Sequence, residues 1–427
     1  MAQQRILTGI TPSGTPHLGN YAGAIRPAVE ASRQSDAESF YFLSDYHALI
    51  KTGNPERVRR STLEIAATWL AAGLRPERVW FYRQSDVPEI PELTWLLTCV
   101  TGKGLLNRAH AYKAAVDKNA LDGADPDAGV TMGLFMYPLL MAADILMFNA
   151  HRVPVGRDQV QHLEMACDIA ASFNHRYGEH FVLPEAAVDE AVATLPGLDG
   201  RKMSKSYDNT IPLFAPAAEL KKLIFSIVTD SKAPGEPKET EGSPLFQLYR
   251  AFAAPDETQA MRARFEEGIA WGEAKEILFD KLESVIAPMR ARYEELIAEP
   301  ERIEQVLKSG AERLRAKYAT PSIAKLREAV GLRRLDRTLA ETTQTQPKAQ
   351  ARPQFKQYRE TDGLFYFKFV DGDGRALLQS RGFASPREAG QAVAAIKDGA
   401  DFAPWADSAE GAARDDIAQA LDALRAE

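Results

Sequence analysis

Between residues 5 and 83 the chain alternates short strand-like runs with stretches of helical spacing, and this alternation restricts the fold more than any other feature. Residues 5–9 read as a first strand ending in the turn formers Gly9-Ile10-Thr11-Pro12-Ser13-Gly14, after which residues 18–31 take up helical spacing. Residues 39–44 and 79–83 read as further buried strands, with a helix over 55–72 between them. Strand, helix and strand in succession predict a doubly wound parallel sheet.

The remaining length needs more than one core. A chain of 427 residues exceeds the single-core limit of about 250–300 residues, so two or three domains are expected. Residues 1–214 are assigned to the α/β domain with the parallel, Rossmann-like sheet. From residue 215 the character changes to amphipathic helices over 219–228, 244–253 and 274–296, giving a helical domain to residue 341. Residues 342–354 are polar, with two prolines and no large apolar side chain, and read as a linker. In 355–427, strand-like residues 364–370, the turn Asp371-Gly372-Asp373-Gly374 and a strand over 375–380 lead to Ser385-Pro386-Arg387-Glu388. That last string opens a helix to about residue 397, so the tail is expected to be a small α+β unit of ββα form.

Composition sets the class. Hydrophobic residues at 45% and charged residues at 26% are ordinary for a soluble globular chain. The net charge of −7 and pI of about 5.7 exclude a uniform positive field, so any contact with nucleic acid must be local. Cys99 and Cys167 stand far apart in apolar helical stretches and are expected to be buried, reduced thiols with no zinc. No charged-apolar-cleavage pattern precedes the first strand. The apolar stretch 132–148 contains Pro138 and Asp144 and falls short of the ~20 residues of a membrane span. A cytoplasmic location without a membrane partner is expected.

Two segments can handle a polyphosphate. In the first, Gly9 and Gly14 permit close approach, Thr11 and Ser13 offer hydroxyls beside Pro12, and His17 and Asn20 can donate around the first helical turn. A solvated loop with a capped helix is the plain alternative. The second segment, Gly197 to Ser206, has glycines on its entry side and gathers Arg201, Lys202 and Lys205 around Met203, Ser204 and Ser206. If a carboxylate attacks the α-phosphorus of ATP, lysines that meet the departing pyrophosphate in the transition state lower the barrier. A solvated charge run would look similar, but Lys202-Met203-Ser204-Lys205-Ser206 is a contiguous and far more specific string.

Pro16-His17-Leu18-Gly19-Asn20 and Lys202 to Ser206 resemble the two signatures of class I aminoacyl-tRNA synthetases, in their order and separation. The resemblance extends over residues 5–335, and Tyr137-Pro138 with Leu140-Met141-Ala142-Ala143-Asp144-Ile145 is similar to the amino-acid-recognition helix of tryptophanyl-tRNA synthetases. It implies that Asp144 accepts the indole N–H of L-tryptophan, with Met141, Tyr137 and Ile145 beside it and Leu7 on the strand opposite. Read from the residues alone, Asp144 could equally be satisfied by a backbone amide or an arginine.

Val153-Pro154-Val155-Gly156-Arg157-Asp158-Gln159 resembles the segment that holds the ribose through Gly156 and Asp158, beside Arg157, and the substrate ammonium through Gln159, with Val153 and Val155 against the amino acid. Asp158-Gln159 as a helix N-cap is the structural alternative. Asp45-Tyr46-His47-Ala48 resembles a string near the amino acid pocket, which brings in His47, and the same resemblance adds Val192 to the nucleotide contacts. Thr101-Gly102-Lys103-Gly104, Arg108 to Lys113 and Trp271-Gly272-Glu273-Ala274-Lys275 also match.

Thr11 and Leu7 depart from the pattern, where glutamine and an aromatic residue are common. Residues 363–397 resemble a small domain of unknown function found elsewhere alone or in tandem. The implied activity is tryptophan–tRNA ligation with ATP, Mg2+ carried by the ATP, and tRNA(Trp) as acceptor. The anticodon region would lie in the helical domain, and the protein would be a homodimer. A tyrosine-specific relative or a silent synthetase-like binding protein are the rival readings.

Overall fold

Strands β1 (Arg5–Ile10), β2 (Glu38–Leu43), β3 (Trp80–Arg83), β4 (Arg152–Pro154) and β5 (Glu185–Ala187) form one parallel sheet in the order β3-β2-β1-β4-β5. The direction of winding reverses at β1, so the crevice at the carboxyl ends of β1 and β4 is the switch point where such a sheet leaves room for a ligand. This computed structural model describes residues 3–12, 14–34, 37–188, 195–332, 353–360, 362–372, 374–409 and 412–425. The chain divides into two compact units, Met1–Arg333 and Arg334–Glu427.

β2 explains the continuous apolar runs. Tyr41 and Leu43 enter a core with Trp69 and Phe81 on one face, while Phe40 and Phe42 enter a second core with Tyr82 and Phe148 on the other. A parallel strand covered on both faces must be apolar at every position. On the first face, the helix Pro55–Ala71 starts at the Asn54 cap, whose Oδ1 accepts from Arg57 N at 3.1 Å. The helix Trp271–Ala298 packs along it and contributes Leu278, Leu282 and Ile286 to the same core. The second face is covered by the helices Glu89–Thr98, Met132–Leu146 and Val160–Tyr177. The helices expected beyond residue 215 are present, from Ala217–Ser226 to Thr320–Ala329, and belong to the same compact unit as the sheet.

Some details differ from the sequence reading. The first helix is interrupted: Leu18–Asn20 passes into a wider π turn, Tyr21–Ile25, before Arg26–Gln34. Arg26 N bonds to Tyr21 O across that turn, and Pro27 behind it has no N–H to continue an α-helical ladder. Cys99 is exposed, contrary to expectation, because Leu93, Leu96 and Leu97 take the inward positions and Cys99 follows the helix end, one turn beyond the exposed Trp95. Cys167 is half-buried and its Sγ donates to Pro184 O at 3.3 Å. Among the described residues no helix is long and apolar enough to cross a membrane.

The second unit contains the expected hairpin, β7 (Phe365–Val370) and β8 (Ala376–Ser380), and the helix Pro386–Lys397 capped by Ser385, whose Oγ accepts from Glu388 N. It is larger than ββα. β6 (Gln354–Arg359) and β9 (Ala406–Ser408) complete a four-stranded antiparallel sheet, and the helix Arg414–Arg425 adds Ile417 and Leu421 to its core. Most of the expected linker, 342–352, lies outside the described residues.

The helix Pro300–Leu314 lies so close to β3 that a Cβ on Gly310 would sit 1.8 Å from Phe81 O. Gly310→Ala should therefore lower stability by about 1–3 kcal/mol through overpacking, despite alanine's better helix propensity. An unchanged denaturation midpoint would contradict that contact.

Candidate active site

The first loop is fastened by backbone pairing. Leu18 N donates to Ile211 O and Leu213 N to Pro16 O, both at 3.0 Å. At the helix start His17 and Asn20 cap each other: His17 N donates to Asn20 Oδ1 at 3.1 Å and Asn20 N to His17 Nδ1 at 3.3 Å. Because Nδ1 accepts, the neutral ring carries its hydrogen on Nε2. Thr11 Oγ1 lies 3.0 Å from Ser44 Oγ, and Thr15 Oγ1 donates to the buried Glu64 at 2.9 Å.

The second loop hangs on Asn209, which is 2% exposed. Its Nδ2 donates to Asp199 Oδ1 at 2.6 Å and Lys202 O at 3.1 Å, while its Oδ1 accepts from Ser204 N at 2.8 Å. Met203 is buried and bonds through its backbone N to Leu195 O at 2.8 Å, and Ser204 Oγ caps Ser206 N at 3.3 Å. The loops meet at Gly14, whose φ is +126° and where a Cβ would lie 3.2 Å from Lys205 Nζ. A side chain there would be strained and would crowd the ammonium. Gly19 lies beneath the His17 ring and Met203.

Electrostatics follow from this packing. Burial and then the charge of Lys205 lower the His17 pKa to about 4. Lys205 is exposed overall, but burial of its ammonium end, and then the charge of Arg57, lower its pKa. The Glu64 carboxylate opposes that lowering, and the free protein thus presents a neutral imidazole beside positive charge.

A cavity of about 570 Å³ opens at the switch point. Leu7 and Gly9 of β1, His47, and Tyr137, Met141, Asp144 and Ile145 of the helix Met132–Leu146 line it, with Val153, Val155, Gly156 and Gln159 opposite. Gly9 is needed because a Cβ would lie 2.6 Å from the Phe42 ring. Asp144 is 1% exposed. Its carboxylate accepts from Gln84 Nε2 at 2.8 and 2.9 Å and from His47 Nε2 at 3.1 Å. Burial raises its pKa, and the His47 and Gln84 hydrogen bonds oppose that rise. Tyr137 Oη lies 2.6 Å from His162 Nε2, and His162 Nδ1 lies 3.0 Å from Gln159 Oε1.

All nine residues expected around the amino acid therefore share one cavity, and Thr11 lines it too. Pro12 is buried in the first loop, and Arg157 is exposed in the short turn Arg157–Gln159. Ser13, Val192 and the side chain of Asp158 lie outside the described residues. Gln84 and Asn209 are additions that the sequence reading missed. For Gln84 the available signal was its place directly after β3, at the carboxyl end of a parallel strand. Among the described residues no group of three or more His, Cys, Asp or Glu could hold a metal ion.

The His17 shift has a sign that can be checked. Between the ordinary 6.5 and about 4 the unfolded chain takes up a proton that the folded ring refuses, so His17 lowers stability progressively as pH falls through that window. NMR titration of the free protein should give a His17 midpoint near 4, and a midpoint near 6.5 would sink the burial argument.

Residues 2–287 match the model of the class I tRNA synthetases (W and Y). A tryptophan–tRNA ligase of Xanthomonas axonopodis pv. citri is 67% identical over 397 residues, covering 93% of this chain and 92% of that protein. The tryptophan–tRNA ligase of Pseudomonas aeruginosa is 64% identical over 389 residues, 90% of this chain and 87% of its own. The structure of tryptophanyl-tRNA synthetase from Campylobacter jejuni complexed with ADP and tryptophan is 42% identical, with a TM-score of 0.70, and covers 77% of this chain and 100% of that one. With both signature loops clasped together, the first of them lining a switch-point cavity, and these relatives matching most of its length, the chain belongs to the class I tRNA synthetases, in the tryptophan–tRNA ligase family.

Proposed function

We propose that the chain activates L-tryptophan with ATP and transfers it to tRNA(Trp). The observation that carries this reading is the buried acceptor Asp144 in an otherwise largely apolar wall, in a cavity that Gly9 and Thr11 of the first loop also line. An indole N–H is a donor of the right kind for such a carboxylate, and the surrounding apolar side chains suit a bicyclic ring.

In the first step a tryptophan carboxylate oxygen attacks the α-phosphorus, the bond to the bridging oxygen breaks and pyrophosphate leaves. In the second, a terminal ribose hydroxyl of the tRNA attacks the adenylate carbonyl and AMP departs. Gly19, Thr11, Pro12 and Ser13 would let the nucleotide approach the first loop, with Met203, Ser206 and Val192 completing its surroundings. Gly156, Arg157 and Asp158 would hold the ribose, and Gln159 and Tyr137 the amino group side. His17, neutral and with its hydrogen on Nε2, and Asn20 would donate to phosphate oxygens. Lys202, Lys205 and Ser204 would meet the leaving pyrophosphate, where donors aimed at developing charge lower the barrier. Mg2+ carried by the ATP would neutralise part of the phosphate charge.

The helical region 215–341 is proposed to read the anticodon. A homodimer in the cytoplasm completes the reading. The dimer is supported by the helix His110–Leu121, which has no buried residue, and by the exposed apolar side chains of Trp95, Leu121 and Met132.

Lys205→Ala should slow tryptophan-dependent pyrophosphate exchange by about 10²–10³-fold with little loss of tryptophan binding. Unchanged exchange would refute its role. Exchange supported by tyrosine rather than tryptophan would overturn the substrate assignment. Aminoacylation of tRNA(Trp) by the chain ending at Gln354 should persist if the second unit lies outside the catalytic machinery, and loss of charging would give that unit a part in it.

A further inference from the structure

We propose that Gln84 is a positioning residue for amino-acid choice: it grips both oxygens of Asp144 and so holds that carboxylate as an acceptor, which selects a side chain with an N–H. The inference rests on the reading that Asp144 faces the indole.

Gln84 is fully buried and follows β3 directly. Its Oε1 accepts from Tyr46 N at 3.1 Å. A backbone N–H can only donate, so the amide cannot be flipped, and the NH2 end must face Asp144. There Nε2 lies 2.8 Å from Oδ1 and 2.9 Å from Oδ2, a grip that sets the plane of the carboxylate. His47 Nε2 adds a contact at 3.1 Å to Oδ2 alone, which leaves Oδ1 with the greater spare capacity to accept.

The ionised form depends on these donors. Removing its hydrogen bonds shifts a carboxylate buried this deeply toward the protonated form. A protonated Asp144 is itself a donor and no longer insists on an N–H. The groups that bear on its charge are His47 and Asp45 on the segment after β2, with Tyr82 on β3 coupled to it, while Tyr137, His162 and Lys51 line the same cavity. Tyr82 Oη is buried with no hydrogen-bond partner among the described residues, and Asp45 is itself engaged by Ser85 N at 3.0 Å. Gln84 is the neutral member of the set that donates to both carboxylate oxygens.

The test uses pyrophosphate exchange by the full-length chain with tryptophan and with its isostere bearing sulfur in place of the indole N–H. Gln84→Met should raise KM for tryptophan about 10- to 100-fold, leave KM for ATP within about twofold, and reduce the preference over the isostere by a similar factor. Gln84→Glu keeps the acceptor for Tyr46 N but donates only when protonated. Its kcat/KM for tryptophan should fall as pH rises across a range in which the parent is flat.

An unchanged KM for ATP and a single cooperative thermal transition, even at a lowered midpoint, show that each variant is folded. Retained discrimination in Gln84→Met, or a Gln84→Glu profile matching the parent, would overturn the proposal. Asp144→Asn separates the two levels. If it keeps full discrimination, the reading of Asp144 itself fails; if it loses discrimination while Gln84→Met keeps it, only the role of Gln84 falls.

Discussion

Two backbone hydrogen bonds, between Leu18 and Ile211 and between Pro16 and Leu213, hold together what the sequence keeps almost two hundred residues apart. They place the entry of the first helix and the end of the second loop in one short antiparallel contact, so the rest of each loop has little freedom to diverge. Asn209 does the local work by tying Asp199, Lys202 and Ser204 to a single buried amide. From that anchor Lys205 reaches Gly14, and its charge helps to keep His17 neutral. The positive end of the site thus exists before any anion arrives, and fixed charge of this kind needs little reorganisation when negative charge develops.

What could be read from the sequence was local. β1, β2 and β3 and the helix Pro55–Ala71 follow from runs of side chains whose pattern is set within a few residues, and both loops announce themselves through glycines and contiguous strings. β4 and β5 have three residues each, too few for a period to emerge, and exist because β1 and its neighbours offer an edge to pair with. β6 mixes Lys356 and Arg359 with Phe355 and Tyr358, so only its pairing to β7 identifies it as a strand. The wide turn at Tyr21–Ile25 was hidden because its residues have helical spacing, and Pro27 signals only that some irregularity is required.

The substrate end of the site was legible in a different way. The helical spacing of Tyr137, Met141 and Asp144 puts them on one face, but only the resemblance gave that face a purpose. The residue types could not reveal how the carboxylate is satisfied: Gln84 and His47 follow β3 and β2 and reach Asp144 only because parallel strands bring their carboxyl ends to the same edge. Among the described residues neither a backbone amide nor an arginine, the two partners that residue types alone suggested, bonds to Asp144, and a glutamine amide and an imidazole take their place.

That arrangement has an evolutionary consequence. Asp144, Gln84 and His47 come from three separate stretches of chain, and each is useful to the pocket only while the others remain. A lineage drifting toward another amino acid would have to change all three, and any intermediate that lost one partner would bury an under-satisfied carboxylate at a cost of about 1–3 kcal/mol or more. Such intermediates would be disfavoured first as poorly folded proteins and only second as inaccurate ones. Selection for a stable fold would therefore guard the fidelity of this pocket even where errors in substrate choice carried no immediate penalty.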